Sequence, residues 1–142
     1  MNEVGSKRKT GYIVLADTSF LLTPYDFKIN IIEGLERIME GKYELVVPSF
    51  CIKELEDIMK RGFIKRKKAQ LALELVKKHA RIINVPLMEN ERVDDALVRI
   101  AKEMRAIVAT GDREIRKKLR KEGIPVVFVR ARKKLELEGE LY

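Results

Sequence analysis

Short apolar runs separated by amphipathic stretches of about ten residues or more constrain this chain most. The runs are Tyr12-Ile13-Val14-Leu15-Ala16, Leu45-Val46-Val47, Ile82-Ile83-Asn84-Val85, Ile107-Val108-Ala109 and Val126-Val127-Phe128-Val129. Between them lie stretches with helical periodicity at 27–39, 50–59, 65–78, 93–104 and 114–121. Strands so far apart in sequence cannot close tight hairpins, so the connections are crossovers and the sheet is parallel, covered by helices on both faces. The expected class is an α/β three-layer sandwich on five strands. Gly41, Gly62 and Gly123 close helical stretches, and Pro48, Pro86 and Pro125 stand at strand edges. One domain is expected over residues 11–130, after a flexible basic N-terminus (1–10) and before a charged C-terminal tail (131–142).

In an open parallel sheet, ligands bind beyond the carboxyl ends of the strands, where strand order reverses. Asp17 follows the first apolar run and Asp112 closely follows the fourth. Glu54 lies in the helix after the second run, and Asp94 opens the helix before the fourth. At about 100° per residue, Val93, Leu97, Ile100, Ala101 and Met104 form one stripe; Asp94 borders it and Asp95 points away. In the helix after Ser49, Glu54 and Glu56 flank the apolar stripe equally, and Glu54 is preferred because it is nearer the strand end. Helix capping is the competing explanation for Asp17 and Asp112 taken singly.

Grouped carboxylates repel one another and favour hard cations, which makes Mg²⁺ or Mn²⁺ the expected cofactor, with Thr18, Ser19 and Thr110 placed to orient ligands or water. Lys and Arg number 30 against 22 Asp and Glu, a formal charge of +8 that favours a polyanionic partner. The charge clusters at Lys60, Arg61, Lys65, Arg66 and Lys67, at Arg113, Arg116 and Lys117, and at Arg130 to Lys134. These residues are expected to contact nucleic-acid phosphates. With aromatics at 6% and no Trp, backbone contacts are favoured over base stacking.

Several chemistries are excluded. His79 is the only histidine, so a two-histidine acid and base pair cannot form within one chain. Neither a Gly-x-x-x-x-Gly-Lys loop nor a Gly-x-Gly-x-x-Gly motif is present, and Ser19 and Ser49 have no evident histidine partner. A phosphoacceptor receiver domain would need an Asp after the third strand, where Pro86-Leu87-Met88 stands. Cys51 is the only cysteine, and no run approaches the roughly 20 apolar residues of a membrane span, so a cytoplasmic location is expected.

In order and spacing, Val14-Leu15-Ala16-Asp17-Thr18-Ser19-Phe20-Leu21, Val47-Pro48-Ser49-Phe50-Cys51-Ile52-Lys53-Glu54-Leu55, Val93-Asp94-Asp95-Ala96-Leu97 and Ile107-Val108-Ala109-Thr110-Gly111-Asp112 resemble the PIN-domain family of metal-dependent ribonucleases. The resemblance implies strand order 3-2-1-4-5 and an endoribonuclease. It also implies that Asp17, Glu54, Asp94 and Asp112 form the family's acidic quartet, with Asp95 the alternative to Asp94. Asp94 to Leu97 and Thr110 to Leu119 look most like the archaeal and eukaryotic branch associated with ribosomal RNA processing, which implies a ribosome-assembly partner. A toxin ribonuclease with an antitoxin partner and a non-catalytic RNA-binding assembly protein are the alternatives. The family often forms homodimers, and a single cysteine disfavours its zinc-ribbon branch.

Overall fold

The computed structural model describes residues 11–142; the expected flexible N-terminus, 1–10, lies outside them. The elements are β1 (Tyr12–Ala16), α1 (Thr18–Phe27), α2 (Ile31–Met39), β2 (Tyr43–Pro48), α3 (Ser49–Ile58), α4 (Phe63–His79), β3 (Ala80–Ile83), α5 (Val93–Met104), β4 (Ile107–Ala109), α6 (Arg113–Lys121), β5 (Val126–Arg130) and β6 (Lys134–Glu138). The sheet runs β3-β2-β1-β4-β5-β6. The first five strands are parallel in the expected order, and β6 is antiparallel to β5.

Alternation along β1 sorts the core. Val14 and Ala16 face a cluster with Phe20, Leu35, Leu55, Ala72 and Val76, so α1 to α4 cover one face. Leu15 faces the other, with Leu97, Ile100, Val108 and Leu119 from α5, β4 and α6. Each such fully buried large side chain contributes about 2 kcal/mol. Because β1 pairs with β2 on one side and β4 on the other, the ends of β1 and β4 flank the reversal of strand order.

Three expectations require correction. A helix, α1, fills the residues between Asp17 and Phe27, where the sequence shows no helical period, and α2 starts at Ile31 instead of Phe27. α1 reads Thr-Ser-Phe-Leu-Leu-Thr-Pro-Tyr-Asp-Phe: its apolar residues are not confined to one stripe and Pro24 interrupts it, which hid its period. The third strand is Ala80–Ile83, two residues earlier than expected, because α4 hands directly into it at His79. The supposed tail supplies a sixth strand, in which Leu135 is buried against the α2 face while Lys134 and Glu136 alternate away. Leu135 fits because α2 carries Gly34 there: a Cβ at that position would lie 2.8 Å from Leu135 Cδ1.

The turn joining β5 to β6 closes with the Lys133 amide donating to the Arg130 carbonyl at 3.0 Å. Its central residues, Ala131 and Arg132, have φ of 52° and 57°, the tight hairpin geometry ordinarily filled by Asn-Gly. Placing two side-chain-bearing residues there costs on the order of 1 kcal/mol each.

Candidate active site

Asp17 is placed by the backbone. Its amide donates to the Ala109 carbonyl at 3.1 Å, tying the end of β1 to the end of β4. Its side chain caps α1, Oδ1 accepting from the Phe20 amide at 2.9 Å and from Ser19 Oγ at 2.7 Å. Oδ2 accepts from Thr110 Oγ1. Both hydroxyl protons are thereby committed to Asp17, so the 3.2 Å contact between Ser19 Oγ and Thr110 Oγ1 has no proton of its own. Ser19 Oγ accepts from the Gly111 amide at 2.8 Å and Thr110 Oγ1 from the Asp112 amide at 3.0 Å. A Cβ on Gly111 would stand 3.1 Å from Thr23 Cγ2 and 3.2 Å from the Ser19 carbonyl, so a side chain there would press the loop after β4 away from α1.

Asp17 is buried, and burial pushes its carboxyl up to about 6 against the pull of Thr110, Phe20 and Ser19; the neighbouring charge of Asp112 raises it further. Asp112 is exposed and caps α6, accepting from the Ile115 amide at 3.0 Å. The capping explanation therefore holds for both acids, and it does not compete with a site, because capping is what aims them at the sheet edge. Glu54, exposed on α3, accepts from Thr18 Oγ1 at 2.8 Å and so belongs to the start of α1. Cys51 sits inside the same junction. Burial pushes its thiol up to about 12 despite a hydrogen bond with Thr18, so it stays protonated and is neither nucleophile nor thiolate ligand.

The third acidic position is arranged differently. Asp94 and Asp95 open α5, and Lys118 of α6 reaches both, lying 3.4 Å from Asp94 Oδ2 and in a short contact with Asp95 Oδ1. Asp94 is the more enclosed side chain, 22% exposed against 45%, as the helix-face argument expected. Burial of Asp94 acts to raise its carboxyl, but Lys118 and Arg92 outweigh it and hold the group below its ordinary value. Asp17, Ser19, Thr110 and Asp112 thus form one bonded junction, with Glu54 joined through Thr18, while Asp94 is engaged by a lysine. Among the described residues, no three His, Cys, Asp or Glu side chains are grouped tightly enough to hold a metal ion. The donors are hard oxygens throughout, the set that Mg²⁺ and Mn²⁺ prefer, and a carboxyl forced up by burial beside a second acid is a place where a cation relieves charge.

The basic residues divide between two places. Lys60, Arg61, Lys65, Arg66 and Lys67 are exposed around the α3–α4 turn, Arg61 and Lys65 bordering the outer side of α1. Arg113 and Lys117 are exposed along α6, beside Asp112. Arg116 is more constrained: its guanidinium stacks 3.5 Å from the Phe128 ring centre, and Nε donates to Glu138 Oε1 at 3.0 Å. Between the start of α6 and the β5–β6 turn lies a cleft of about 260 Å³, bordered by Asp112, Arg113, Arg116, Phe27, Phe128 and Arg132. The sequence reading did not assemble this cleft. Its one available signal was the basic cluster ending at Lys134, which shows its position only once β6 turns it back beside α6.

The pattern of the PIN like domain matches residues 14–132. The chain is 37% identical over 131 residues to Ribonuclease VapC4 of Methanocaldococcus jannaschii, covering 90% of this chain and 98% of that one. Among solved structures, the PIN domain endonuclease Utp24 superposes with a TM-score of 0.71 at 27% identity, over 93% of this chain and 95% of that one. A domain of a functionally unknown M. jannaschii protein gives 0.61 at 23% identity over 93% and 99%, and PAE2754 from Pyrobaculum aerophilum gives 0.53 at 16% over 78% and 83%; these two share the fold. With the acids at the ends of β1 and β4 and a match over nearly the whole sheet, the chain belongs to the PIN-like domain family.

Proposed function

We propose that this protein is a divalent-metal-dependent endoribonuclease that hydrolyses RNA phosphodiester bonds. The observation that carries the reading is the junction of Asp17 and Asp112 at the switch in strand order, flanked by the exposed basic face of α6. The 37% identity to a protein named a ribonuclease and the fold shared with a PIN endonuclease support it. Asp17, Glu54, Asp94 and Asp112, with Asp95 the alternative to Asp94, would hold Mg²⁺ or Mn²⁺ by drawing closer together than they stand in this structure. When bound, the metal supplies Lewis-acid stabilisation of the phosphoryl oxygens and an acidified water.

The remaining work falls to the chain. Ser19 and Thr110 fix the Asp17 carboxylate so that its oxygens do not reorient as charge moves. Glu54, oriented by Thr18, is the exposed carboxylate available to accept a proton from an attacking water. Arg113 and Lys117 seat the phosphate backbone, and Lys60, Arg61, Lys65, Arg66 and Lys67 extend the anionic track. The lone histidine, His79, lies at the end of α4 where β3 begins, at the opposite strand edge, and has no role in this chemistry.

The role in the cell is read as ribosomal RNA processing in the cytoplasm, with a ribosome-assembly partner. The relative named Ribonuclease VapC4 favours a second reading, a toxin ribonuclease held by an antitoxin. Incubation with single-stranded and structured RNA in Mn²⁺, Mg²⁺ or EDTA tests the activity. Cleavage is expected with metal and none in EDTA; RNA bound in a salt-sensitive way but left intact under every condition would instead identify a non-catalytic RNA-binding protein.

A further inference from the structure

We propose that Lys118 couples RNA binding to metal binding: it holds Asp94 and Asp95 in the free protein and passes to an RNA phosphate when those carboxylates take a divalent cation. This rests on the endoribonuclease reading and adds to it a positioning residue that makes each ligand favour the other.

The acids of the site are not treated alike. Among the described residues, Asp17, Glu54 and Asp112 accept from hydroxyl and amide donors, with no cationic side chain at ion-pair distance. Asp94 has two such cations. Lys118 Nζ lies 3.4 Å from its Oδ2 and also contacts Asp95 Oδ1, while the largely exposed Arg92 puts Nε 3.4 Å from its Oδ1. The Asp95 amide donates to the same Oδ1 at 3.1 Å. Both Asp94 oxygens are therefore occupied, one of them by an ammonium that bridges to the neighbouring acid.

The fold does not need this bridge. Asp94 and Asp95 stand in the first turn of α5, where the helix dipole favours carboxylates without any lysine. Leu97, Ile100 and Ala101 fix α5 against the sheet. The Lys118 side chain is 37% exposed, and an ion pair this open to water adds little stability. Nor does another acid wait for the ammonium, because Glu122, one turn further along α6, is held by Lys102 at 2.6 Å. A divalent cation and the ammonium on one carboxylate would be like charges in contact, so Lys118 leaves Asp94 when the acid is taken. Its helix carries exposed Arg113 and Lys117, which seat the RNA backbone in the reading above, so the group nearest to receive the ammonium is a phosphate. The two ligands thus take the two halves of one ion pair. By linkage, each raises the affinity for the other by the same factor.

The test is fluorescence anisotropy of the full chain with a labelled phosphorothioate RNA that resists hydrolysis, in EDTA and in Mn²⁺ at matched ionic strength. The wild type is expected to bind this RNA about tenfold more tightly in Mn²⁺ than in EDTA. Lys118→Met should bind it in EDTA within about twofold of wild type, since Lys118 is committed to the acids there, and should lose most of the gain in Mn²⁺. Lys118→Arg keeps the charge and should keep the gain. Lys117→Gln, removing a neighbouring cation that touches neither aspartate, should weaken binding by the same factor in both conditions. A gain equal in wild type and Lys118→Met would reduce the bridge to a structural ion pair, and an equal loss in EDTA and Mn²⁺ would make Lys118 an ordinary phosphate contact; either overturns the coupling. So would a Lys118→Met chain that fails to fold, since the bridge is dispensable to the fold. Metal-dependent cleavage of unmodified RNA, with the gain intact in Lys118→Met, would remove the coupling and leave the nuclease; the expected pattern of gains without cleavage by the wild type would do the reverse.

Discussion

Replacing Asp17 by Asn should make this protein more stable at neutral pH while abolishing its proposed activity. Burial holds the folded carboxyl near 6, against 3.8 for an unperturbed aspartate. Between those values the folded state binds more protons than the unfolded one, so this group's contribution to stability falls as pH rises, and the full cost is present above about 7. The gap corresponds to about 3 kcal/mol at about 1.4 kcal/mol per pH unit. Asn is isosteric and the hydrogen bonds can be remade. Oδ1 still accepts from Phe20 and Ser19, and the new amide donates to Thr110 Oγ1. The Thr110 proton then turns to Ser19 Oγ, 3.2 Å away. Allowing for the weaker neutral bonds, a net gain of about 2 kcal/mol is expected at pH 7.5, or a Tm higher by about 6 °C. Paired urea or thermal unfolding of wild type and variant in EDTA, at pH 4.5 and 7.5, measures it. The gain should shrink at pH 4.5, where much of the wild-type carboxyl is protonated when folded. A variant less stable than wild type at pH 7.5, or a gain equal at both pH values, would refute the assignment of Asp17 as a carboxylate forced into a buried site.

Three further outcomes are expected. Adding Mn²⁺ should raise the Tm of the wild type and leave Asp17→Asn nearly unmoved, because a ligand that binds only the folded state stabilises it in proportion to its affinity. Lys118→Met should strengthen Mn²⁺ binding in calorimetric titration by removing the cation that engages Asp94 and Asp95; an unchanged or weaker affinity would place those acids outside the metal site. Gly34→Ala should destabilise by about 1 kcal/mol, since overpacking against Leu135 outweighs the roughly 1 kcal/mol that Ala gains over Gly in a helix, and Leu135→Ala in the same chain should make the Gly34 change favourable.

The sequence made the parallel sheet legible because buried strands read as continuous apolar runs and their spacing forbids hairpins. It misread the two segments where that code changes. α1 is apolar on several sides, and β6 alternates Leu135 and Leu137 with charged residues, so its composition reads as tail while its period of two reads as an edge strand. The acids followed the same division. Asp17 and Asp112 stand at strand ends that the apolar runs locate, and helix face orders Asp94 and Asp95 by enclosure only. The engagement of Asp94 by Lys118 depends on how α5 packs beside α6, and the cleft of Phe27, Phe128 and Arg132 on a turn between strands; no local period encodes either.

The central claim is that carboxylates at the β1 and β4 edge direct a metal-assisted water at the RNA backbone, with no histidine pair to activate the ribose hydroxyl. Analysis of the termini left by the wild type in Mn²⁺, beside Asp17→Asn and Asp112→Asn, tests it most directly. The expected products carry a terminal monophosphate and a free hydroxyl, and both variants leave the RNA intact. Fragments ending in a cyclic phosphate, or equal cleavage by the two variants, would contradict it.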